Sequence, residues 1–159
     1  MTTAKKYYIS EEIEFQNGAT VVAKPLPIKK LKVLQKVFEE YGEDLRKLAN
    51  IQQDLMNKTR ELQEKGEDPE PVYLEAKTKL EELNLMSYED CLVDGALVAL
   101  NSWLVKDVKG KTVEITSEWV EDNGDQPTLE RVCEVAGNME IGQLSGKAED
   151  SEGKAPGQG

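Results

Sequence analysis

Hydrophobic positions in this chain follow two periods, and the change from one to the other marks the elements. Over residues 7–23, "YYISEEIEFQNGATVVA", β-branched and aromatic residues flank Asn17-Gly18. That dipeptide readily supplies the positive φ angles of a two-residue turn, so a short N-terminal hairpin is predicted. Pro25 and Pro27 stop the second strand, and Pro27 suits the opening of a helix, where its missing N–H leaves nothing unsatisfied.

From there the period is helical. Leu31, Leu34, Phe38, Tyr41, Leu45, Leu48, Leu55 and Leu62 recur on one stripe, with Gln52 and Thr59 at its weaker places. The spacing predicts a heptad-like helix from 28 to about 65. Unbroken, it would extend about 55 Å at 1.5 Å per residue, which is long for a compact domain of this size. It either breaks near Gly42, the one expected bend, or projects. "EKGEDPEP" (64–71) ends it, and Val72, Ala76, Leu80 and Leu83 resume the pattern, giving a helical hairpin with a charged tip.

Ser87 and Asp90 in "SYED" form a capping pair for the most apolar helix, carried by Leu92, Ala96, Leu97, Leu100, Trp103 and Leu104. "VKDVKGKTVEI" reads as a strand or turn around Gly110, "TSEWVED" as a short helix with Trp119 inward, and "DNGDQP" as a loop. In "PTLERVCEVAG", Thr128 caps, Leu129, Val132, Cys133 and Ala136 share a face, and Gly137 ends the helix in the left-handed conformation. After Leu144 no apolar side chain larger than Ala occurs, so 145–159 is expected to be a disordered tail. The fold class is mainly α: one folded domain over 1–144, a helical bundle with a short N-terminal β-hairpin, followed by that tail.

Charge narrows the function. With 20 Lys and Arg against 31 Asp and Glu, the net charge is −11, which disfavours nucleic acid and anionic membrane surfaces as partners. The best apolar run (91–105) carries Asp94 and is too short to span a bilayer, and the N-terminus lacks the apolar core of a signal peptide. A soluble protein made where it works is expected. Cys91 and Cys133 each lie within an apolar helical stripe, so two buried thiols in a reducing compartment are expected rather than a disulfide.

There is no His, which removes the commonest base and metal ligand. The acidic clusters lack the alternating oxygen-ligand loop of a calcium site, and "GDQP" and "KGK" lack the spacing of a phosphate loop. No catalytic residue, cofactor or metal is expected. What remains is broad apolar helix faces: Leu31, Leu34, Phe38, Tyr41, Leu97 and Trp103 are the candidates for core and for partner surface alike.

"VVAKPLPIKKLKVLQKVFEEY", "ALVALNSW" and "PTLERVCEVAG" before a polar tail, in an acidic chain without His, together resemble the tail assembly chaperones of long-tailed bacteriophages. The resemblance covers roughly 7–144 as a pattern of elements. It implies a non-enzymatic, mostly helical protein of the host cytoplasm. Such a protein is expected to be a homo-oligomer that binds the aggregation-prone tape measure protein in many copies, with the tail tube protein as a further partner, and leaves before the virion matures.

The family also commonly makes a longer product by ribosomal slippage. Ser145-Gly146-Lys147 and Glu152-Gly153-Lys154 can be encoded with the slippery string G-GGA-AAA, as can Lys109-Gly110-Lys111, where slipping would discard the last predicted helix. The tail is thus either a linker hosting the slip or an ordinary frayed terminus. Two other readings stand beside the chaperone: a self-associating structural or adaptor protein of a phage particle, and an enzyme with an unfamiliar carboxylate site.

Overall fold

The computed structural model describes residues 10–141. The expected tail at 145–159, and Tyr7 and Tyr8 of the expected hairpin, lie outside them. The elements run β1 (Glu11–Glu14), β2 (Thr20–Ala23), α1 (Ile28–Glu64), α2 (Glu70–Leu83), α3 (Tyr88–Leu100), β3 (Val105–Lys106), α4 (Ser117–Asn123) and α5 (Gln126–Gly137). The chain is therefore mainly helical with a short N-terminal antiparallel hairpin, as its periodicity indicates.

The hairpin turn differs from expectation. Glu14 pairs with Thr20, and the Phe15 N–H donates to the Ala19 carbonyl, leaving a three-residue loop closed by the Gly18 N–H on the Phe15 carbonyl. Only Gly18 takes a positive φ, +89°, as in a type I turn followed by a glycine bulge. Asn17 instead accepts the Ala19 N–H on its side-chain oxygen at 3.0 Å. β3 adds to β2 antiparallel, giving the sheet order β1-β2-β3, and Gly110 (φ +82°) turns the chain back after β3.

One face of the sheet and the two flanking helices build the core around α3. Ile13, Val21, Ala23 and Val105 point inward from the strands, while Leu34 and Phe38 enter from α1 and Val132, Cys133 and Ala136 from α5. Gly95 marks the tightest approach. A Cβ there would stand 3.0 Å from Cys133 Sγ, 3.1 Å from Phe38 Cε2 and 3.3 Å from Leu34 Cδ1. Trp119 is half-buried and meets Phe15 edge-on with centroids 5.0 Å apart, joining α4 to the hairpin loop.

The helix ends show which capping signals operate. Ser87 accepts from the Asp90 N–H, as expected, and Thr116 from the Trp119 N–H. For α5 the cap is Asp125, accepting from the Thr128 N–H, and Thr128 lies inside the helix behind Pro127. Gly137 closes α5 within the helix, and Asn138 takes the left-handed turn (φ +55°) because its short polar side chain tolerates that conformation. The apolar helix α3 ends at Leu100, so Trp103 reaches the core from the loop beyond and Leu104 is left exposed.

α1 continues through Gly42 without a break; Gly42 is simply the next buried position on the stripe of Leu34 and Phe38. Beyond Gly42 neither α1 nor any part of α2 contains a fully buried residue. Of the two alternatives for this helix, the chain adopts the projecting one.

Candidate interaction surface

The projecting part is a two-helix arm made by the distal half of α1 and all of α2. Its seam is thin. Leu48, Ile51, Leu55 and Leu62 on α1 face Val72, Ala76 and Leu80 on α2, and all seven are only half-buried. A narrow cleft between the helices is lined by Ile51, Leu55, Val72 and Ala76, edged by Asp54, Lys58, Glu75 and Lys79. The tip is held by Gly66 (φ +76°), by the Glu67 N–H on the Leu62 carbonyl, and by Asp68 accepting the Glu70 N–H. At the base, Asp44 of α1 accepts the Met86 N–H at 2.8 Å and ties down the segment between α2 and α3.

The arm leaves large apolar side chains in water: Met56 is 57% exposed, Leu74 56%, Tyr73 47% and Leu83 44%. A two-helix seam buries one stripe per helix, so the run Val72-Tyr73-Leu74 cannot all face it. Val72 takes the seam, Tyr73 falls to its flank, and Leu74 lies on the far side of the helix. The Thr59 hydroxyl is shielded within the arm and has no hydrogen-bond partner. Two helices alone do not complete a core here.

The candidates named from sequence lie elsewhere. Leu34, Phe38 and Trp103 are buried in the main core, and Leu31, Tyr41 and Leu97 are half-buried against it. They hold the body together and present little surface to a partner. The missed residues, Met56, Tyr73 and Leu74, carried a sequence signal: Met56 and Tyr73 directly follow a stripe position and Leu74 stands two places after one, so a helix must turn all three away from the seam.

Polar geometry elsewhere is structural in kind. Tyr88 donates to Glu130 Oε2 at 2.6 Å and lies 5.8 Å from the Tyr41 ring; burial and the Glu130 carboxylate push its hydroxyl pKa up. Arg131 donates to both oxygens of Glu11, at 2.6 and 2.8 Å, pinning α5 to β1 and holding the Glu11 carboxyl below its ordinary value. Burial raises both thiols, Cys91 to about 12. Neither is an activated nucleophile.

A cleft of about 430 Å³ is lined by Asp44, Asp90, Asp94 and Glu121. Burial, then Asp90 and Glu40, hold the Asp94 carboxyl above its usual range. Among the described residues no group of three or more His, Cys, Asp or Glu is placed to hold a metal ion, and no helix is long and apolar enough to cross a membrane. Compared with protein-family models, with curated proteins and with solved structures, the chain matches none.

Proposed function

We propose that this chain is a tail assembly chaperone of a long-tailed bacteriophage, a binding module that holds the tape measure protein in solution while the tail assembles. The observation that carries the reading is the arm, with its half-buried seam and its exposed Met56, Tyr73, Leu74 and Leu83. A long helical polypeptide with apolar stripes associates with itself unless another apolar surface covers it. An amphipathic helix laid along the arm beside the seam would meet Tyr73 and complete a three-helix arrangement that two helices leave unfinished. The excess of carboxylates on the chain, net −11, would keep such a complex soluble.

Co-expression with the tape measure protein of the same phage tests the proposal. The expected result is a soluble complex captured through a tag on this chain, lost when Met56, Tyr73 and Leu74 are replaced together by Gln, Gln and Glu. A tape measure protein equally soluble with and without the chain would refute it. The same exposed side chains favour a second reading, a self-associating structural or adaptor protein of the particle. Finding the chain in purified virions would favour that reading over a chaperone that departs.

A further inference from the structure

We infer that two copies of this chain associate through the solvent face of the first half of α1, antiparallel, each supplying the charges that the other's face lacks. No Asp or Glu occurs between Glu14 and Glu39, and this acid-free stretch holds Lys24, Lys29, Lys30, Lys32 and Lys36. Opposite the buried Leu34 and Phe38, the helix places Lys29, Lys32, Val33, Lys36, Glu40 and Glu43 on one face, all exposed. The face is basic over its first two turns and acidic over the next two.

This arrangement is unfavourable in a lone chain. The first turn of α1 has no acidic residue, so Lys29 and Lys30 stand at the positive end of the helix dipole. Lys29 and Lys32, then Lys32 and Lys36, are like-charge neighbours at spacings of three and four. The ion pairs among the described residues include none of these lysines and not Glu40; on this face only Glu43 is engaged, by Arg46 at 2.6 Å.

A second copy related by a two-fold axis near Lys36 sets Lys29 against the partner's Glu43 and Lys32 against the partner's Glu40, with the two copies of Lys36 meeting at the axis as the one like-charge contact. The symmetry repeats both pairs. Parallel pairing in register would oppose Lys29, Lys32, Lys36, Glu40 and Glu43 each to its own copy, against Lys36 alone in the antiparallel pairing, so the charge blocks favour the antiparallel direction. One helix face covers little area, which places the contact among weak, salt-labile interfaces. The inference concerns self-association alone and does not depend on what the arm binds.

Its salt dependence sets it apart from general behaviour. Two bodies of net charge −11 repel more strongly as salt falls, whereas pairing of these blocks strengthens. The test is sedimentation velocity of the full chain over a concentration series at about 20 and about 500 mM salt, where the screening length differs several-fold. A dimer at low salt whose dissociation constant rises at least tenfold at high salt is expected.

K29E/K32E should abolish the low-salt dimer. The reversed face K29E/K32E/E40K/E43K should restore it, with unchanged circular dichroism showing that the exposed substitutions leave the fold intact. A monomer at low salt, association that strengthens with salt, or a dimer insensitive to these substitutions would each overturn the inference.

Discussion

Gly95→Ala is the sharpest probe of how α1, α3 and α5 fit together, because two opposing effects of similar size meet at one methyl group. In the middle of a helix, replacing Gly by Ala stabilises by about 1 kcal/mol. If α3 had room at this position the variant would gain that amount. It has none: the new Cβ would lie 3.0 Å from Cys133 Sγ, 3.1 Å from Phe38 Cε2 and 3.3 Å from Leu34 Cδ1. All three neighbours are fully buried and have little freedom to withdraw. Forcing a methyl into such a site costs about 1–3 kcal/mol.

The net expectation is therefore a loss of about 1 kcal/mol, roughly a 4 °C fall in Tm for a domain of this length, where open space would give a rise of similar size. Urea unfolding followed by circular dichroism reads the difference, and a double-mutant cycle with Cys133→Ala identifies its origin. Removing Sγ takes away the nearest clash, so the double variant should be more stable than the sum of the singles by at least about 0.5 kcal/mol. Stabilisation by Gly95→Ala alone, or strict additivity with Cys133→Ala, would refute the close approach of the helices.

Three further outcomes follow from the arm and from the link between β1 and α5. Thr59→Val keeps the branched shape and removes a shielded hydroxyl without a partner, so it should stabilise by about 1 kcal/mol; an unchanged or lower Tm would count against that hydroxyl's isolation. Because the arm has no fully buried residue beyond Gly42, its amides should exchange with deuterium faster than those of α3 and α5, through local opening at low free energy. Equal protection in arm and body would show that the arm is stabilised by something besides its seam. Arg131 lowers the Glu11 carboxyl below its ordinary value of 4.5. A lowered folded-state pKa gives stability that is complete above 4.5 and lost as pH falls through the folded value. Arg131→Gln should flatten the stability profile in that acid window, and an unaltered profile there would remove the pair from the pH dependence.

Much of this fold was legible in the residues, and the errors have physical causes. The α1 stripe, the charged tip at 64–71, the Ser87 cap and the α5 face follow from periodicity and local capping chemistry, which act within a few residues. Where several signals competed, sequence alone chose wrongly. Asp125 and Thr128 can both cap, and the first prevails because Pro127, which lacks an N–H, fits the first turn of a helix starting at Gln126. Gly137 and Asn138 can both adopt the left-handed turn, and burial of Gly137 in the core leaves that turn to Asn138. The Asn17-Gly18 loop has one residue more than the dipeptide suggests because Phe15 and Ala19, both buried, set the strand register.

The candidate surface was harder to read for a different reason. Large apolar residues on a regular stripe identify burial, not exposure, so Leu34, Phe38 and Trp103 drew attention and proved to be core. On the arm, Met56 and Tyr73 are left in water beside the stripe, and whether they stay exposed depends on how many helices surround the arm. That number is set by tertiary arrangement and not by any local pattern.

The most direct test of the arm as the binding surface is deuterium exchange of this chain, alone and mixed with the tape measure protein of the same phage. Protection gained over the arm, residues 45–83, with α3 and α5 unchanged, is the expected footprint. Binding that leaves the arm's exchange untouched and protects another surface would show that the arm is not where the partner sits.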